Sequence, residues 1–118
     1  MNSAEVLNAC PGMLTSIRLS NERTASGQAL MSGYQLRIEE YQAQLSAISE
    51  AIGALDPLEQ KMIRSRYLEC SCGRCRPWKD VSLAIYGDAS ENRIRVLARI
   101  HQKTLQELEP AFREAGLQ

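Results

Sequence analysis

The sequence predicts an all-α protein, a long N-terminal helix followed by a three-helix domain that closes in a helix-turn-helix. Three observations point there. Apolar residues recur from Tyr34 to Leu55 at alternating spacings of four and three, the heptad period of a helix and not the alternation of a strand. Asp56-Pro57-Leu58-Glu59 has the chemistry of a helix start. Residues 78–108, WKDVSLAIYGDASENRIRVLARIHQKTLQEL, hold two amphipathic segments separated by a glycine turn, the pattern of two helices joined by a short connection.

Residues 1–27 form a first segment. Val6 and Leu7 precede Cys10-Pro11-Gly12, which reads as a turn. Met13, Leu14 and Ile17 predict a short helix, and the polar run 21–27, NERTASG, predicts a loop. The second segment, 28–54, is the long helix. Ser32 and Gln35 form a capping box near its start. Its stripe is Tyr34, Ile38, Tyr41, Leu45, Ile48, Ile52 and Leu55, flanked by polar residues such as Arg37, Glu39, Glu40, Gln42 and Glu50. The stripe fits two arrangements: packing within the chain, on 1–25 or on the C-terminal domain, or a coiled-coil homodimer through 34–55. The reading leans to the first, because three heptads are short for an isolated coiled coil.

The third segment, 55–118, begins with a helix over 57–68. Asp56 caps it, Pro57 sits where its missing N–H costs nothing, and Glu59 is at N3. Leu58, Met62, Ile63 and Tyr67 supply its apolar side, and Arg64 and Arg66 are expected to face solvent or a DNA backbone. Trp78, Val81 and Ile85 form one face of the next helix. Gly87 supplies the turn, and Asp88 with Glu91 is expected to cap the last helix. That helix carries Ile94, Leu97, Ala98, Leu105 and Leu108 on one side. Leu58, Met62, Tyr67, Trp78, Val81, Ile85, Ile94, Leu97 and Leu105 are the expected core.

The outer face of the last helix carries the functional expectation. Asn92, Val96, Arg99 and Lys103 point away from the apolar stripe, flanked by Arg93 and Arg95. A solvated helix more often mixes Lys with Glu. Here the turns after Glu91 carry only positive charge, an Asn and an outward Val. Arg suits guanine edges or phosphates, Asn suits adenine, and an apolar group suits a thymine methyl. The expected ligand is double-stranded DNA, met in the major groove.

LDPLEQKMIRSRYL, then WKDVSLAIYGD, then SENRIRVLARIHQKTLQEL resembles the C-terminal promoter-recognition domain, region 4, of sigma-70-type factors. The resemblance is closer to small prophage transcriptional regulators of the ArpU and RinA-like group, which pair a long N-terminal helix with one such domain. It covers about residues 30–108. It implies a sigma-region-4-like three-helix domain, and it implies that the residues around Asn92, Arg93, Arg95 and Val96 lie in the major groove.

Net charge is zero over 118 residues, which speaks against a non-specific nucleic-acid coat but not against one basic face. Residues 1–53 hold three basic and five acidic side chains, and 54–118 hold eleven and nine, so the positive bias follows the last helix. No apolar run is long enough to span a membrane. The N-terminus lacks a secretory pattern, so a cytoplasmic protein with reduced thiols is expected. Cys70, Cys72 and Cys75 are three thiols in one loop, with C-x-x-C spacing between the last two. A structural zinc needs four ligands, so Cys10, His101 or another subunit would have to supply one. With a single cluster in place of two separated pairs, the loop is read as metal-free and no cofactor is expected. Vicinal-thiol redox sensing is the smaller alternative. His101 lies on the apolar stripe and reads as a packing histidine, and Trp78 reads as core more than as a base-stacking ring. With one His and no paired carboxylates in a cleft, neither an enzyme nor a small-molecule substrate is expected. Two rivals remain to the transcription regulator: a helical adaptor that binds RNA polymerase or another protein without reading DNA, and a DNA-packaging protein like a terminase small subunit.

Overall fold

The computed structural model describes the backbone of residues 2–25, 32–69 and 74–117, and the side chains of 2–19, 37–69 and 74–117. Among the described residues the regular structure is all helical, with no strand. Asn2 opens α1 (Ser3–Asn8), its side chain accepting the Glu5 N–H at 2.9 Å. After a bend at Ala9 comes α2 (Cys10–Ala25). Cys10-Pro11-Gly12, expected as a turn, is instead the first turn of this helix. Pro11 is tolerated there because an N–H so close to the start has no intrahelical acceptor. The backbone also remains helical over 21–25, where a loop was expected, and residues 26 and 27 of that loop lie outside the described ones. Glu22, Arg23 and Ala25 are good helix formers, and the run resembles a loop only because it lacks an apolar stripe.

α3 (Ser32–Gly53) is the long helix. Ser32 is already helical, and whatever caps it lies outside the described residues, as does the Tyr34 side chain. Ile48 and Ile52 are fully buried and Ile38 nearly so, while Tyr41, Leu45 and Leu55 are half-buried. α2, α4 and α6 pack against this helix, so Ile48 and Ile52 of the heptad stripe are buried within the chain.

α4 (Pro57–Ile63) starts as expected, with Asp56 accepting the Glu59 N–H at 3.0 Å and Pro57 at N1. The expected α-helix over 57–68 is not uniform. Residues Arg64–Leu68 widen into a π turn closed by the Glu69 N–H on the Arg64 carbonyl at 2.9 Å. Two further expectations fail here. Leu58 is 37% exposed, because the inward place at the start of α4 goes to Glu59, whose carboxylate accepts from Thr104. Arg66 is turned toward the protein: its Nη1 donates to the Arg76 carbonyl at 2.9 Å, and the Arg76 N–H returns a bond to the Arg66 carbonyl.

α5 (Trp78–Tyr86) ends at Gly87, whose φ of +69° is the left-handed conformation that glycine adopts without strain. α6 (Glu91–Glu114) follows. Its cap is Ser90, not Asp88: the Ser90 side chain accepts the Arg93 N–H, and Asp88 accepts the Ser90 N–H at 3.1 Å. Both residue types cap well, and the turn takes the second, so Glu91 opens the helix in place of closing a capping box. α6 buries Leu97, Thr104, Leu108 and Phe112. Ile94, expected in the core, is only half-buried. α1 lies along the far half of α6, where Ser3 Oγ donates to the Leu105 carbonyl at 2.7 Å and the Ser3 N–H donates to Glu109 at 3.0 Å.

One apolar cluster takes a residue from every helix: Leu7, Cys10, Ile52, Met62, Tyr67, Val81, Leu97 and Phe112 among them. Its contacts cross both boundaries drawn from the sequence, near 27 and near 54. The consequence for α6 is a rigid mount, buried along one side from Leu97 to Phe112.

Candidate nucleic-acid interface

The buried side of α6 determines what its other side presents. At about 100° per residue, Leu97, Thr104 and Leu108 inward leave Asn92, Arg95, Val96, Arg99 and Lys103 outward, while Arg93, one turn before Leu97, lies beside the turn from α5. All six are exposed. Val96 keeps 43% of its surface, an apolar side chain that the fold leaves uncovered. From Asn92 to Lys103 the face runs about 16 Å at 1.5 Å per residue. That is somewhat longer than the width of a DNA major groove, about 12 Å.

The charges on this face are not alike. Lys103 pairs with Glu107 at 3.5 Å, an exposed pair of small energetic weight. Arg93 is held: its guanidinium carbon lies 4.7 Å from the Tyr86 ring centroid, and its Nε lies 4.0 Å from an Asp88 carboxylate oxygen. Neither Tyr86 nor Asp88 was expected to touch the outer face. The signal in the sequence is an aromatic at the last position of α5, an acid two residues on and an Arg three past the cap, and it becomes visible only once the turn geometry is known.

Beneath the face an aromatic cluster ties α6 to α5 and to the π turn that follows α4. The Arg66 guanidinium lies 4.2 Å over the Trp78 ring. The Trp78 edge meets the His101 ring at 4.8 Å, and the Tyr67 hydroxyl is bonded to His101 Nε2 at 2.6 Å. Burial, with the Arg66 charge adding to it, pushes the His101 pKa down to about 4, so the ring is neutral at neutral pH. Burial raises the Tyr67 hydroxyl as well. With Arg66 on its ring, Trp78 acts as a packing residue, as the sequence suggested. A second polar link joins α4 to α6 through the buried Glu59 carboxyl and Thr104. Desolvation raises that carboxyl above the usual range, with the Thr104 bond opposing it.

Of the thiols considered for zinc, Cys70 and Cys72 lie outside the described residues. Cys75 is half-buried and donates to Asn8 Oδ1 at 3.4 Å. Of the two side chains considered for the fourth ligand, Cys10 is fully buried, and burial followed by the nearby Cys75 pushes its pKa up to about 12. His101 Nε2 is engaged by Tyr67. Among the described residues no group of three or more His, Cys, Asp or Glu is placed to hold a metal, and no helix is long and apolar enough to cross a membrane. No family model matches this chain, and neither curated proteins nor solved structures show a match to it.

Proposed function

We propose that the chain is a sequence-specific DNA-binding transcription regulator of the sigma-70 region 4-like kind, akin to the small prophage regulators it resembles. In this reading the helix-turn-helix is α5, the turn at Gly87 and α6, and α6 enters the major groove of duplex DNA. The observation that carries it is the outer face of α6: Asn92, Arg95, Val96, Arg99 and Lys103 are exposed on a helix whose opposite side is anchored in the core, with Arg93 exposed beside the turn at its start. Arg93 and Arg95 meet base edges or nearby phosphates, Asn92 an adenine and Val96 a thymine methyl. Arg99 and Lys103 meet phosphate. The heptad face is occupied by the chain's own core, so the reading asks for no pairing through 34–55.

A fluorescence titration of duplex DNA at two salt concentrations tests it. Wild type is expected to bind with a steep salt dependence. Arg99→Ala and Lys103→Ala should each weaken all sequences alike and reduce the salt slope by about one. If a combined Arg93→Ala, Arg95→Ala, Arg99→Ala variant bound as wild type does, the assignment of α6 would be wrong and the protein-binding adaptor would become the better reading.

A further inference from the structure

We propose that Tyr86 and Asp88 are positioning residues that hold Arg93 in one orientation, its terminal edge turned out to take the O6 and N7 acceptors of a guanine. This rests on α6 reading duplex DNA. A guanidinium has two bonding edges, one formed by Nε with one terminal nitrogen and one formed by the two terminal nitrogens. Asp88 lies at the first edge, 4.0 Å from Nε. The second edge stays available on a side chain that is 52% exposed, and two parallel donors match the two major-groove acceptors of guanine.

The holder is itself held. Asp88 accepts the Ser90 N–H through Oδ1, and its backbone carbonyl accepts from Ser82 Oγ. Tyr86 packs against the core, and its ring supports the guanidinium from below at 4.7 Å. The Arg93 N–H is bound to the Ser90 side chain. Both ends of Arg93 are thus tied to the α5–α6 turn, which restricts a side chain that otherwise loses much rotamer freedom on binding. Among the described residues neither ring nor carboxylate holds Arg95 or Arg99 in this way. Asp88 also sets the kind of acceptor: its negative charge beside Arg93 disfavours a phosphate and tolerates the neutral edge of a base.

The probe is a duplex selected by wild type, with each guanine replaced singly by 7-deazaguanine, which lacks N7. At one position the replacement should weaken wild-type binding about tenfold. Arg93→Ala should erase that difference. Tyr86→Leu and Asp88→Asn should each reduce it severalfold, and Tyr86→Phe, which keeps the ring, should restore it. Combined with Arg93→Ala, Tyr86→Leu should change it no further. Asp88→Asn retains the acceptor for the Ser90 N–H, so it tests the idea should Tyr86→Leu unfold the chain. A DNA-free readout is the order parameter of the Arg93 Nε–H from nitrogen-15 NMR relaxation, higher in wild type and lowered by Tyr86→Leu or Asp88→Asn. If both variants keep the full wild-type discrimination, or if 7-deazaguanine is silent at every position of a duplex that binds, the inference is overturned while the DNA reading stands. If wild type binds no duplex at low salt, that reading fails and takes the inference with it.

Discussion

Ile48 is where the two arrangements of the heptad stripe part. It is fully buried, on a helix packed against α2, α4 and α6. Ile48→Ala removes the outer part of a side chain that the surroundings close over on all sides. The loss of transfer energy and the cavity left behind together cost about 2–5 kcal/mol at fully buried sites. At a urea dependence of about 1–3 kcal/mol per molar, the unfolding midpoint should fall by roughly 0.7–5 M. Ile48→Val, a milder change, should cost about 0.5–1.5 kcal/mol and guards against total unfolding. Urea titrations followed by circular dichroism, at two protein concentrations a hundredfold apart, give the assay. Burial within the chain predicts a midpoint independent of concentration for wild type and variants alike. A loss below about 0.5 kcal/mol, or a wild-type midpoint that rises with concentration as a dimer's must, would refute the packing described for α3.

Three more expectations follow from the core and its polar links. Leu97→Ala, at a fully buried site directly behind the outward side of α6, should cost about 2–5 kcal/mol, read by the same titration. Thr104→Val should leave the buried Glu59 carboxyl without its donor, costing about 1–3 kcal/mol and pushing that carboxyl's pKa still higher, which carboxyl-carbon NMR would register. His101 has its folded pKa pushed down to about 4 from 6.5, so between those values the unfolded chain binds the extra proton. Its contribution is therefore complete above pH 6.5 and is lost as pH falls toward 4. His101→Gln, which cannot titrate there, should flatten the stability profile in that window, and an unchanged profile would contradict the neutral buried ring.

The parts of the fold that could be read from the sequence are those whose causes are local. Asp56-Pro57 starts a helix by its own cap chemistry, and Gly87 ends one by its left-handed backbone. The outward phase of Asn92, Val96, Arg99 and Lys103 follows from where Leu97 and Leu108 must go. What could not be read depends on partners far along the chain or on a choice between near-equals. Ser3 reaches Leu105 and Glu109, and Glu59 reaches Thr104; nothing near either residue signals this. Asp88 and Ser90 are both competent caps, so the frame of the turn, and with it the hold on Arg93, is decided by packing. The continuation of α6 to the buried Phe112 is obscured by Pro110, which sits exposed inside the helix at the cost of one backbone bond. Leu58 was expected inside by period alone, but Thr104 gives the neighbouring carboxylate a partner there.

The central claim is that the outer face of α6 reads duplex DNA, and selection of bound duplexes from a random-sequence pool tests it most directly. Wild type should enrich a short motif containing at least one guanine whose loss is felt. In parallel selections Arg93→Ala or Arg95→Ala should relax the motif at a single position, an effect of about 1–3 kcal/mol, and Arg99→Ala should leave the motif intact while lowering recovery. A wild-type pool that remains random after repeated rounds at low salt, or the same motif recovered with all three arginines replaced, would contradict the claim.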